Sequence, residues 1–254
     1  MVYPAMRMEL AVGIMIAAGG SAIIARKMGE GKLAEARENF TFLMLVELGI
    51  GVVTAALGNL FIRRIILLFG ATPLQYEACE RYLRILLAFA PAFFLQTAFQ
   101  TFFVTAGKPG LGLVVTVIGG VMNVVLDYLF MVPCQMGIRG AAVATGIGYL
   151  IPALAGIFYF FIPREDTLYF VRPRYDGRVL FYACTNGSSE MVTNLANAVT
   201  TYLFNIIFLK YYGEDGVAAI GIVLYFQFVF TAVYFGYSNG VAPVVSYKYG
   251  NGDR

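Results

Sequence analysis

Two acidic residues stand where an acid is expensive. Asp127 lies in Asn123-Val124-Val125-Leu126-Asp127-Tyr128-Leu129-Phe130, and Glu190 lies in Asn186-Gly187-Ser188-Ser189-Glu190, each inside a long apolar run. A charge at mid-bilayer costs about 2.5–3.5 kcal/mol on insertion scales, so such a residue is a functional candidate by default. Asn123 precedes Asp127 by one helical turn, which puts amide and carboxylate on the same face. Two hard oxygen ligands at that spacing suit Na⁺, and the same carboxylate, removed from water, suits a proton. The bland alternative is that Asp127, near the outer end of its run, only caps or snorkels.

Asn186, Glu190, Asn194 and Asn197 are spaced 4, 4 and 3 residues apart, with Thr193, Thr200 and Thr201 beside them. That is a polar stripe on one helix face. It is expected to line a water-filled cavity, the alternative being interhelical hydrogen bonding. Gln96 and Gln100 share a face of another run and are expected on the same cavity. Glu47 has no polar neighbour within a turn and is given the lesser role. There is no histidine, which removes the commonest general base and metal ligand. Cys79, Cys134 and Cys184 lack metal-like spacing. They read as free thiols, with a Cys79–Cys134 disulfide the weaker alternative. Gly29-Glu30-Gly31-Lys32 lacks the spacing and the preceding strand of a phosphate loop, and reads as a tight turn. With no nucleophile–base pair and no metal cluster, the chain is not expected to be an enzyme.

The elements that must position these residues are membrane spans. The chain is 59% hydrophobic and only 13% charged, against roughly 45–50% and 25% in soluble domains. Seven apolar runs are expected as helices: 8–26, 38–62, 80–106, 110–133, 139–162, 178–209 and 216–247. The N-terminus lacks a basic region leading into an apolar core and a cleavage site, so it is not read as a signal peptide. Residues 61–69, with Arg63 and Arg64 beside Ile65 and Ile66, read as a short amphipathic piece at the interface. Pro91, Pro152 and Pro243 are expected to kink their helices.

Loop charge orients the spans. The loops at 26–37, 108, 163–178 and 248–254 carry 11 of the 18 Lys and Arg residues, and the opposite side, with loops at 70–78 and 210–216, carries 7. The richer side is expected in the cytoplasm. The net charge of +3 is too small and scattered to suggest nucleic acid. Three regions follow: a helical block over 1–163, a linker over 164–177, and a second block beginning at 178.

The chain also repeats itself. Gly19, Lys27, Gly29 and Gly31 recur as Gly240, Lys248, Gly250 and Gly252, an offset of 221 residues. Under that offset the run 178–209 has a counterpart before Met1, and runs two to five have counterparts after Arg254. The pattern is one of two six-helix halves, twelve helices in all, of which seven are in this sequence.

These segments resemble the multidrug and toxic compound extrusion (MATE) family of secondary transporters, its bacterial multidrug branch in particular. The likeness rests on Ala25-Arg26-Lys27-Met28-Gly29-Glu30-Gly31-Lys32, Ala106-Gly107-Lys108-Pro109, Asn123 to Phe130, Gly137-Ile138-Arg139-Gly140-Ala141-Ala142-Val143-Ala144-Thr145, and Asn186 to Glu190. It implies an all-α, polytopic bundle of two lobes, here incomplete and covering helices two to eight. It implies export of cationic, amphiphilic drugs by antiport with Na⁺ or H⁺ as coupling ion, with no cofactor, in a cell membrane, by a full-length monomer. By resemblance, Asn123, Asp127 and Thr145 belong to the cation site, whose acid on the first helix has no position here. Glu190 matches an acid of the substrate cavity. The competing transport reading is a lipid-linked precursor flippase, which would need a basic cavity. No span holds Lys or Arg at mid-depth. A non-transporting membrane fragment is the reading from another class.

Overall fold

The computed structural model describes residues 3–68 and 73–252. Eight helices follow in order: α1 (Tyr3–Gly29), α2 (Leu33–Leu60), α3 (Ile62–Leu68), α4 (Pro73–Ala88), α5 (Ala90–Thr105), α6 (Pro109–Met131), α7 (Ile138–Phe161) and α8 (Gly177–Asn251). α8 is two arms meeting at Gly213, whose φ of 66° and ψ of −155° no helix contains. The arms, 177–212 and 214–251, match the sixth and seventh runs. The third run is not one straight helix. α4 and α5 meet at 54° across Phe89, and Pro91 sits in the first turn of α5, where its missing N–H leaves no bond unmade. Pro152 and Pro243 instead lie inside continuous helices.

Among the described residues, five helices are long and apolar enough to cross a membrane, and the bent α4–α5 pair makes a sixth. The amphipathic piece is α3: Ile62 and Ile66 are buried while Arg63 and Arg64 are exposed. Residues 70–72 of the expected outer loop lie outside the described residues. All three cysteines are free.

The core is aromatic. Phe40 of α2 meets Phe102 of α5 edge-on at 5.0 Å and Phe160 of α7 at 4.8 Å. Phe160 stacks on Phe99 at 5.6 Å. Phe99 fits because Gly156 of α7 presents no side chain there. These rings fix α2, α5 and α7 as one packed block.

The four basic-rich loops gather at one end. Arg37 of α2 donates to the carbonyls of Thr167 (2.9 Å), Arg164 (2.8 Å) and Glu165. Thr167 donates to Ala106 O between α5 and α6. The linker is therefore sewn to the first block: the Phe170 N–H donates to Phe160 O at 2.8 Å, and the Val171 N–H donates to Thr41 Oγ1 at 3.1 Å.

The repeat is visible as a two-fold contact. A side chain at Gly29 would collide with the carbonyl of Tyr247, and one at Gly250 with the carbonyl of Arg26. Positions 26 and 247, like 29 and 250, are related by the offset of 221, so each copy makes the other's contact. Gly31 and Gly252, also equivalent, both adopt positive φ (76° and 82°) to end their helices.

Candidate functional site

α6 and α7 form the first candidate site. Gly119 of α6 lies against the carbonyl of Gly148 on α7, a separation that leaves no room for a side chain. Asn123, one turn further along α6, rests its side chain on Gly148. The helices are antiparallel, so Asp127, a further turn along, comes level with the turn of α7 that holds Thr145. Asn123 Nδ2 and Asp127 Oδ1 are both buried and both lack a hydrogen-bond partner. A donor and an acceptor one turn apart on a buried seam thus remain free. Thr145 donates to Ala141 O at 2.9 Å, leaving its oxygen lone pair as acceptor.

The second candidate site runs along the first arm of α8. Ala183 and Gly187 press directly on the α1 backbone at Gly19 and Met15. Glu190 follows on the adjoining face, half-buried, with Oε2 buried and unpartnered. Asn194 turns back to donate to Glu190 O at 2.9 Å. Asn186 and Asn197 are exposed. The stripe is therefore divided: its middle faces the seam with α1, and its ends face open space. Gln100 reaches away from it, donating to Thr116 Oγ1 of α6 at 3.1 Å. Gln96 is half-buried on α5.

A sequence profile of the MatE family matches residues 5–129 and 191–254, both candidate acids lying at or beside the matched stretches.

The chain belongs to the MatE family.

It is 23% identical over 250 residues to the multidrug export protein MepA of Staphylococcus saprophyticus, covering 97% of this chain and 54% of that one. It superposes on a multidrug resistance MATE transporter of the MOP superfamily in its outward-facing conformation with a TM-score of 0.89, at 21% identity, covering 99% of this chain and 56% of that one. On an inward-facing conformation the TM-score is 0.74, with coverage of 98% and 55%. The chain spans about half the length of the relatives it matches. It is a multi-pass, all-α membrane protein carrying part of the MATE helix bundle.

Two polar groups stand out in the structure that the sequence under-weighted. Glu47 has no exposed surface, and neither carboxylate oxygen has a partner. Spacing on its own helix could not reveal this, because its surroundings come from other helices. Glu9, at the outer end of α1, lines an apolar cavity of about 430 Å³ with Val53, Leu57, Phe61 and Leu83. It sits at the edge of its run, where an acid is cheap, so it gave no signal.

Proposed function

We propose that residues 1–254 are the larger part of the first lobe and the opening helices of the second lobe of a cation-coupled exporter of bulky amphiphilic cations. The observation that carries this is the free Asn123–Asp127 pair on the α6–α7 seam. Buried polar atoms are normally paired, so the unpartnered Asp127 Oδ1 supports a place for a cation there, the Asn123 amide turning its oxygen rather than its Nδ2 toward it. Na⁺ would take a carboxylate oxygen and neutral oxygens of the Asn123 and Thr145 side chains; a proton would need Asp127 alone. Glu190, Asn186, Asn194 and Asn197, with Gln96, would face the drug. MepA, a multidrug export protein by name, supports this assignment of substrate class.

Alternating access needs two lobes rocking about a shared site, so the chain by itself is not expected to transport. In a twelve-helix protein containing residues 1–254, Asp127→Asn should abolish cation-driven dye efflux with expression unchanged. Undiminished efflux would sink the cation site. Against the flippase reading stands the absence of Lys or Arg at mid-depth in any span.

A further inference from the structure

Among the described residues, Glu47 is the one ionisable side chain with no surface in contact with solvent. It sits at the middle of α2, and neither carboxylate oxygen finds a hydrogen-bond donor. The cations of α4 are engaged elsewhere: Arg81 and Arg84 pair with Glu77 and Glu80, and Leu87 of α4 meets α2 at Gly58, about three turns from Glu47. α2 carries no other titratable group between Glu38 and Phe61, α1 none between Glu9 and Arg26, and α5 none at all. The first arm of α8 offers Tyr182, which is exposed, and the Cys184 thiol, which lies within electrostatic reach of Glu47. The buried hydroxyls of neighbouring helices are committed elsewhere: Ser21 donates to Ala18 O, and Thr97 to Phe93 O. An ionised carboxylate left so is among the costliest groups a bilayer-spanning protein can hold.

The α1–α8 seam lies beside Glu47: Gly20 of α1 seats Leu43, one turn from Glu47 on α2, and Cys184 of α8 is near enough to feel its charge. Leu43 and Met44 of α2 share one hydrophobic cluster with Val179 and Ala183 of α8, and Cys184 packs on its edge. The seam closes only because Gly19 and Gly187 let backbones touch. Its two sides come from the two halves of the repeat. Relative movement of those halves would part the seam and bring water to the carboxylate.

We propose that Glu47 is a proton-binding site of the first lobe, filled while the first arm of α8 closes on α1 and emptied when that seam opens. The bond made and broken is the carboxyl O–H. The proton comes from water and returns to it, with no change of oxidation state. The exporter reading above is needed for the proton to drive transport, but not for it to be bound.

The test is infrared spectroscopy of residues 1–254 in nanodiscs, following the carbonyl band of protonated carboxyl groups. At about pH 8, far above an ordinary carboxyl value, the parent should keep a band that Glu47→Gln lacks. Gly187→Leu, which wedges the seam, should make that band titrate away as pH rises and return as it falls. A band unchanged in Glu47→Gln overturns the proposal. So does a Glu47 band indifferent to the wedge, which would mean a sealed structural acid. Where Gly187→Leu does not fold, hydrogen–deuterium exchange of the same band in the parent replaces it: exchange supports an opening seam, and no exchange during the folded lifetime overturns it. Asp127→Asn should leave the Glu47 band in place, so failure here and failure of the cation site are separate results.

Discussion

α1 and the second arm of α8 are two copies of one motif with opposite fates. Half of the most apolar window of α1 is buried, against 6% for the second arm. The sequence does not explain the difference, since the glycines align: Gly19 with Gly240, Gly29 with Gly250 and Gly31 with Gly252. At their crossing the copies behave alike, each glycine lying against the other helix. They part at mid-helix. The groove of α1 at Gly19 and Met15 is filled by Ala183 and Gly187 of the first arm. The equivalent positions of the second arm, Gly240 and Gly236, have nothing within 4 Å of where a side chain would start. Small residues build a groove, and burial waits for an occupant. By the repeat, the seat at Gly236 and Gly240 has the form that would take a helix equivalent to the first arm of α8.

The comparison breaks most sharply with leucine at the two equivalent glycines. Gly19→Leu drives a side chain into the Ala183 carbonyl, which no rotamer relieves. Overpacking ordinarily costs about 1–3 kcal/mol, and a backbone collision belongs at or above the top of that range. Size-exclusion chromatography of detergent-extracted protein should show loss of the monodisperse species. Gly240→Leu in the same 254 residues should be silent. In a protein that also contains the upstream helix, Gly240→Leu should become as damaging as Gly19→Leu. Equal silence there would refute the assigned seat.

Much of the fold was legible because membrane spans announce themselves by length and hydropathy. The repeat was legible because glycine has few substitutes where backbones touch. Residues 178–209 were read as a span despite Asn186 and Glu190, and they form the first arm of α8. What escaped was whatever depends on a neighbour. The bend expected at Pro91 is present as the 54° break at Phe89, though sharp enough to divide the span into α4 and α5. Gln100, expected on the cavity with Gln96, also donates to Thr116 Oγ1 of α6, a partner that spacing on α5 does not reveal. Glu47 looked ordinary because no neighbouring helix gives its carboxylate a polar partner, a fact invisible on α2 alone. The polar stretch 164–177 read as a linker, and what its own residues did not reveal is that Arg37, 127 residues before Arg164, ties it down.

Phenylalanines test the same contrast of filled and unfilled faces. Phe40 is fully buried against Phe102, Phe160 and Phe170, and its truncation to alanine should cost about 3–5 kcal/mol. Phe230, on the second arm, is 63% exposed, and Phe230→Ala should stay within about 0.5 kcal/mol in these 254 residues. Thermal aggregation midpoints in one detergent would compare the two. A Phe230→Ala loss matching Phe40→Ala would show that the second arm already has a partner, such as a second copy of the chain.

The linker gives a smaller effect. Arg37 makes hydrogen bonds to three carbonyls and lies 4.2 Å over the Tyr169 ring. Arg37→Ala should release the strand that carries Arg164, Arg172 and Arg174, with little change in helix content. Limited trypsin digestion should then cut between the two blocks several-fold faster, in line with a loss of about 1–3 kcal/mol for charge-assisted bonds. Unchanged cleavage would mean that Leu168 and Phe170 anchor the linker without help.

The smallest expected effect lies at the crossing itself, where the copies differ in charge. Glu30 in the first copy corresponds to Asn251 in the second. Arg26 and Lys32 both donate to Glu30 at 2.9 Å, and Arg26 also lies 5.5 Å over the Tyr249 ring. Hydrogen bonds from Lys32 and then Arg26 hold the Glu30 carboxyl below its usual value of 4.5, while Glu30 holds the Lys32 amine above 10.5. A lowered carboxyl value stabilises the fold above pH 4.5 and loses that contribution as pH falls through the folded value. A raised amine value contributes below 10.5 and fades as pH rises through its folded value. The network is therefore complete across the neutral range and fails first on the acid side. Because Arg26 and Lys32 are exposed and Glu30 is only partly covered, salt screens the network, and the effect should be a small shift in melting temperature. Glu30→Gln should lower it slightly at neutral pH and low salt, and the difference should vanish below about pH 4 or in about 1 M salt. A difference that survived both would show that Glu30 acts by packing at the Gly29–Tyr247 contact, and that the two copies hold their crossing by shape alone.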